Sequence, residues 1–267
     1  MGNIVPIRKS VEFQEKFNRA KSVEDLRKLE EEIENYLMLN NNDLDSFKVL
    51  LLTKTSLGKN EEVIELIEKK FNIIPFDFLV IYIDALLKTG KPYRALELVE
   101  EYIKRYQGER ERKVLIAKAI IATANLGMYE DTKALFEEIV GINLKEMSYV
   151  DVLNSFKELE KTYSLDMDTY LSIFKFLKDS EKAMEVIEEY PYLKRIYTEL
   201  RRNEQFQKVI PVLKEEDYLS KLEFLLIPTK ELSTKEAVEL RNKLVKKYFP
   251  EEIWENPKVD LVSFSLL

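Results

Sequence analysis

The 267-residue chain contains no cysteine and no histidine. No disulfide can form, and neither a thiolate nor an imidazole is present to act as nucleophile, base or metal ligand. Zinc fingers, Cys–His and Ser–His–Asp catalysis, histidine-ligated haem and iron–sulfur sites are excluded. Glycine (6) and proline (8) are scarce, so turn chemistry for many short strands is missing. Phosphate-cradling loops are missing too. Gly90-Lys91 has Ala85 where the first glycine of Gly-x-x-x-x-Gly-Lys belongs, and no Gly-x-Gly-x-x-Gly occurs. The most apolar stretch, Phe76 to Leu87, is interrupted by Asp77 and Asp84 and is too short to span a bilayer. The N-terminal stretch has no long apolar core before a small-residue cleavage site, and Pro6 breaks the myristoylation pattern after Gly2. These absences lead to the expectation of a soluble, cytoplasmic protein with no cofactor and no metal.

What remains is helix-forming. Hydrophobic residues make up 45% and charged residues 34%, with 49 acidic against 42 basic side chains and a net charge of −7. Leu, Ile, Glu and Lys dominate, a composition that suits long amphipathic helices. Abundant Lys and Glu also give the chain a thermophile-like composition. Carboxylate pairs such as Glu31/Glu34 and Glu158/Glu160 are what a Glu-rich helical chain produces by chance. They do not indicate an acid–base hydrolase, and we expect no catalytic residues.

Turn glycines organise the chain. Gly58, Gly90 and Gly127 each separate two amphipathic stretches, at intervals of 32 and 37 residues. That is the period of a two-helix repeat. A helix over about 10–20 is expected first. Ser22 and Asp25 then form a capping box opening a helix that carries Leu26, Leu29, Ile33 and Leu37 on one stripe. Asp43 is placed to cap the next helix, Asn60 the one after Gly58, and Pro75 to begin another. Further helical hairpins are expected across a turn at Lys178-Asp179 and between about 193–202 and 206–213. Ser233 and Glu236 make a second capping box, for a helix ending before Pro250. The expected layout is an N-terminal hairpin (1–42), helical repeats (43–215), and C-terminal helices with a capping tail (216–267), in one continuous all-α solenoid.

The turn strings resemble the tetratricopeptide repeat, whose second helix follows a Gly-x-Tyr-x-x-Ala start with Phe four residues on. Gly127, Tyr129, Thr132 and Phe136 fit that frame with Thr for Ala; Gly90 and Ala95 fit it with Pro92 and Val99 at the aromatic positions. The small residue that the family carries seven before the turn glycine is replaced by Leu51, Ile83 and Ile120, so the resemblance is to a divergent, TPR-like α-solenoid. It implies a right-handed superhelix whose concave groove is lined by the first helix of each hairpin. Transferred position by position, the groove would hold Lys48, Leu52, Thr55 and Ser56; Asp77, Asp84, Lys88 and Thr89; and Ala117, Ile121 and Asn125. Lys48, Thr55, Asp84, Lys88 and Asn125 are the partner-binding candidates within it. A Lys-x-x-x-Asn carboxylate clamp is absent, because Leu52 follows Lys48 at that spacing.

Such a groove implies a non-catalytic scaffold or adaptor for a protein or peptide partner. The alternative is a structural or regulatory subunit that uses its outer faces and tail. Charge is uneven: residues 128–190 hold 15 acidic and 7 basic side chains, whereas 192–214 hold 6 basic and 2 acidic. Lys194, Arg195, Arg201 and Arg202 form the only candidate nucleic-acid cluster, and the acidic chain with no RNA-binding motif disfavours that use. Membrane binding is not expected, and oligomeric state is left open. The apolar tail after Trp254 is expected to fold back as a cap.

Overall fold

The computed structural model describes residues 8–106, 108–163, 165–216, 219–248 and 261–266. It divides into two compact units, Met1–Leu126 and Gly127–Leu267. Among the described residues no helix is long and apolar enough to cross a membrane.

The first unit contains α1 (Lys9–Arg19), α2 (Val23–Leu39), α3 (Leu44–Ser56), α4 (Asn60–Lys70), α5 (Phe76–Lys88), α6 (Pro92–Ile103) and α7 (Glu109–Asn125). Local chemistry sets the boundaries. Ser22 Oγ accepts the Asp25 amide at 3.1 Å and Asp25 returns the bond to the Ser22 amide at 3.1 Å, the expected capping box. Asp43 caps α3 by accepting the Ser46 amide at 3.1 Å. The expected Asn60 cap is not formed. Lys59 holds the cap position, and the buried Asn60 Oδ1 has no hydrogen-bond partner.

Each helix packs on its sequence neighbours, and α1, α3, α5 and α7 also touch in succession. Contacts recur about one hairpin apart. Lys59 Nζ reaches back 29 residues to Glu30 (2.8 Å) and Lys91 Nζ back 30 residues to Glu61 (2.6 Å). Lys48 pairs with Asp77, 29 residues on (2.6 Å), and the Tyr102 hydroxyl accepts the Ile74 amide, 28 residues away (3.0 Å). The core is apolar: Phe13, Ile33, Leu51, Val63, Ile67, Leu79, Ile83, Val114 and Ile120 are all fully buried. Leu51, Ile83 and Ile120 thus take large side chains into the helix contacts.

Gly58 and Gly90 lie in the left-handed region (φ 75° and 71°), where they let Lys59 N–H and Lys91 N–H close back on Lys54 and Leu86 carbonyls at 2.9 and 2.8 Å. A Cβ at either position meets nothing within 4 Å. The cost of Gly58→Ala is therefore conformational, about 1–2 kcal/mol. Gly58→Asn is expected to cost less, because asparagine tolerates that region; urea denaturation of the two variants checks the order.

The second unit contains α8 (Tyr129–Val140), α9 (Tyr149–Tyr163), α10 (Met167–Glu189), α11 (Pro191–Arg201), β1 (Phe206–Glu216), β2 (Leu219–Pro228), α12 (Thr234–Tyr248) and β3 (Leu261–Leu266). The chain is mostly helical, but the three strands correct the all-α expectation. The order is β1-β2-β3, with β1 antiparallel to β2 and β3 parallel to it. Residues 206–213, expected as helix, are strand because Val209, Ile210 and Val212 are β-branched and Pro211 cannot sit inside a helix. Pro211 is tolerated since β1 is an edge strand. The expected break at Lys178-Asp179 is also absent. No glycine or proline interrupts α10, Lys175 supports it by pairing with Asp179 at 2.5 Å, and the buried Ser180 hydroxyl donates to Pro211 O at 2.7 Å.

The tail does fold back, as a strand rather than a loose cap. A parallel pair needs a crossover, and α12 lies within it. Phe224 of β2 sits between Pro211 and Phe264 in the register, and Leu222, Phe224, Leu226, Val262 and Phe264 bury against α11 and α12. On the opposite parity Glu223 is buried, held by Lys214 Nζ at 2.5 Å and by the Ser265 hydroxyl, which donates to its Oε1. Burial pushes the Glu223 carboxyl up, but these partners outweigh it and the group ends below the ordinary carboxylate value. Trp254, Val259 and Leu267 lie outside the described residues.

Candidate functional site

The residues transferred from the repeat frame fall on the α1-α3-α5-α7 row of the first unit, and the structure sorts them into three groups. The first is at the starting end of the helices. Lys48 of α3 is partly exposed and holds Asp77 of α5 at 2.6 Å. Beside it an open cleft of about 330 Å³ lies between α1 and α3, lined by Ser10, Val11, Gln14, Glu15, Asp45, Lys48 and Val49. Its rim is polar, with two carboxylates and one ammonium.

The second group is at the opposite helix ends. Lys88 and Asn125 are exposed in the last turns of α5 and α7, and Ser56 is exposed at the end of α3. Thr55 is half-buried and spends its hydroxyl on the Leu51 carbonyl (2.9 Å), an intrahelical bond that leaves its acceptor lone pairs for other use. Thr89 does the same toward Ala85 (2.9 Å).

The third group closes the middle of the row. Asp84 of α5 is bound at 2.6 Å by Lys118 of α7, whose side chain is only 5% exposed. Asp84 is therefore committed to neutralising a buried ammonium, which changes its meaning as a contact residue. Ala117, also transferred from the frame, is fully buried and presents nothing to a partner. Leu52 and Ile121 are half-buried.

Two residues central to this row were missed by reasoning from sequence. Lys118 stands alone in the run Val114–Ala124, and Lys54 stands alone in the last turns of α3. A single charge in an otherwise apolar helical stretch is a readable sign of a buried pair. Lys54 is 4% exposed at its side chain and binds Glu30 (2.6 Å), Glu34 (2.7 Å) and Glu62 (2.7 Å), tying α2, α3 and α4 together. Burial alone lowers a lysine, yet the three carboxylates dominate and raise Lys54 well above its ordinary value. Burial likewise raises Glu30, and Lys54 and Lys59 outweigh it, leaving Glu30 below its ordinary value.

Among the described residues no group of three or more carboxylates is placed to hold a metal ion. What the row offers is a set of exposed and half-buried polar positions on successive helices. No protein-family model matches the chain, and neither a curated protein nor a solved structure matches it.

Proposed function

We propose that this chain is a non-catalytic, TPR-like scaffold that holds a protein or peptide partner along the α1-α3-α5-α7 row. The observation that carries the reading is the recurrence of contacts 28–30 residues apart through α2 to α6, combined with succession of the odd-numbered helices through α7. That pattern is what stacked helix hairpins produce, and stacked hairpins present their first helices as a continuous binding face. The mixed set of polar Lys48, Thr55, Lys88 and Asn125 with the half-buried apolar Leu52 and Ile121 suits an extended or helical peptide.

The test is an affinity capture from native lysate with the tagged chain beside a Lys48→Ala, Lys88→Ala, Asn125→Ala variant. Asp84 is left intact, because removing it would strand the buried Lys118 and unfold rather than probe. A specifically enriched protein that the triple variant loses supports the scaffold reading. A partner retained at wild-type level by the variant removes the row from consideration.

The second reading, a structural subunit using its outer surface, is favoured by one feature. Met38 (78% exposed), Leu39 (88%) and Ile73 (69%) stand in solvent at the α2–α3 and α4–α5 connections, which Lys70 joins by donating to the Asn41 carbonyl. Exposed apolar side chains gathered at one end of a unit are a contact surface for a larger assembly.

A further inference from the structure

The basic cluster read from sequence on α11 gains a second half in the fold. Leu193, Ile196 and Leu200 of α11 and Leu244 and Tyr248 of α12 enter one apolar cluster with Phe224 and Phe264, so both helices lie on the same side of the sheet. They meet at two points. The Tyr192 hydroxyl donates to the Tyr248 carbonyl, and Glu199 bridges Lys247 (3.2 Å) and Arg195 (4.0 Å). Helical spacing places Arg195, Glu199 and Arg202 on one stripe of α11, and Lys243 and Lys247 on the flank of α12 that meets it. The four basic residues are exposed, and among the described residues Arg202 and Lys243 have no acidic partner.

The charge is concentrated. Residues 191–202 and 234–248 together carry nine basic and three acidic side chains, a net of +6, within a chain of net −7. Solubility is already served by the acidic excess and does not call for a patch of the opposite sign. The arginine heads are held in place as well. The Arg195 guanidinium lies 5.4 Å from the Tyr192 ring centre and that of Arg201 5.7 Å from Tyr197, so each is steadied by an aromatic ring. A planar, preorganised guanidinium fork matches phosphate oxygens two at a time. The only large apolar side chains exposed on α12 are Val238 and Val245, too few for insertion into lipid.

We propose that the α11–α12 surface binds the phosphate backbone of single-stranded nucleic acid, with Arg195, Arg202, Lys243 and Lys247 as the contacting cations and Glu199 as the group that restrains two of them. The Arg195 guanidinium favours nucleic acid over an acidic peptide, because a base can stack on its plane in addition to the charge interaction.

Fluorescence anisotropy of a labelled oligouridylate with the full chain at about 50 mM salt tests this. Four cations predict a log–log salt slope of about −3. The Arg202→Glu, Lys243→Glu variant, which breaks no ion pair, is expected to bind at least about tenfold more weakly with unchanged helical circular dichroism. Glu199→Gln is expected to bind more tightly, an outcome that a merely structural role for Glu199 does not give. The Lys48, Lys88, Asn125 triple variant should bind as wild type, which separates this surface from the peptide-binding row. The proposal is overturned by absence of binding, by binding that the charge-reversed pair leaves intact, or by polyglutamate competing as well as unlabelled oligouridylate.

Discussion

Replacing Lys54 with methionine should destabilise the first unit by about 3 kcal/mol, because removing one partner of a buried ion pair leaves the other uncompensated. Glu30 is the group left behind: its side chain is 7% exposed, and of its two lysines only Lys59 would remain. Glu34 and Glu62 are 44% and 50% exposed and regain water, which keeps the loss from being larger. The double change Lys54→Met, Glu30→Leu should recover most of the stability, to within about 1 kcal/mol of the parent, since apolar groups of similar volume replace buried pairs at little cost. Urea denaturation followed by circular dichroism measures both. A Lys54→Met loss within about 0.5 kcal/mol, the range of ordinary surface changes, would show that the network contributes nothing.

The same variant has a pH signature. Glu30 is held below its ordinary value in the folded state, so its contribution is complete above an unfolded value of about 4.3 and disappears as pH falls through the lower folded value. Lys54 is raised, so its contribution is complete below an unfolded value of about 10.4 and is lost as pH rises through the higher folded value. The penalty of Lys54→Met should thus be flat across neutral pH and shrink upon acidification below about 4.3.

Phe264→Ala should cost about 3–5 kcal/mol, the range for deleting a buried aromatic side chain. Phe264 is 1% exposed, with its ring centre 5.9 Å from Phe224 and 6.0 Å from Tyr248. It is the point at which β3 fills the core made by β2 and α12. Hydrogen exchange gives the local readout: amides of Leu222 to Leu226 in β2 should lose protection in the variant. If the tail instead served only to dock another molecule, the substitution would leave both stability and protection unchanged.

These two residues also mark where sequence reading succeeded and where it stopped. The helices through α9 were legible within a few residues, because glycine turns, capping boxes and the 3.6-residue spacing agree with one another there. Ser22, Asp43 and Ser233 are seen capping as their side-chain chemistry requires. The sheet was not legible as such. β1 reads Phe-Gln-Lys-Val-Ile-Pro-Val-Leu, a short apolar run that periodicity alone cannot assign, although Pro211 argued against a helix. β3 earns its place only through β2, and pairing across some 40 residues is invisible to local pattern. At the candidate site, the repeat frame names positions but not their partners within the fold. Nothing local tells that Asp84 faces Lys118 across two helices, whereas the isolated charge in Val114–Ala124 tells that some carboxylate must.

The short reach of the contacts in the first unit bears on how the protein is made. Lys59 to Glu30, Lys91 to Glu61 and Tyr102 to Ile74 all join segments that leave a ribosome within about one hairpin of each other. Each hairpin can therefore settle on the previous one during synthesis, and low sequence separation favours rapid closure. The sheet has the opposite timing. Phe224 stays without its cover until Phe264, 40 residues later in the register, has been translated. The interval in which β2 lies open is the stage of biogenesis at which this chain is most exposed to a holding chaperone or to self-adhesion.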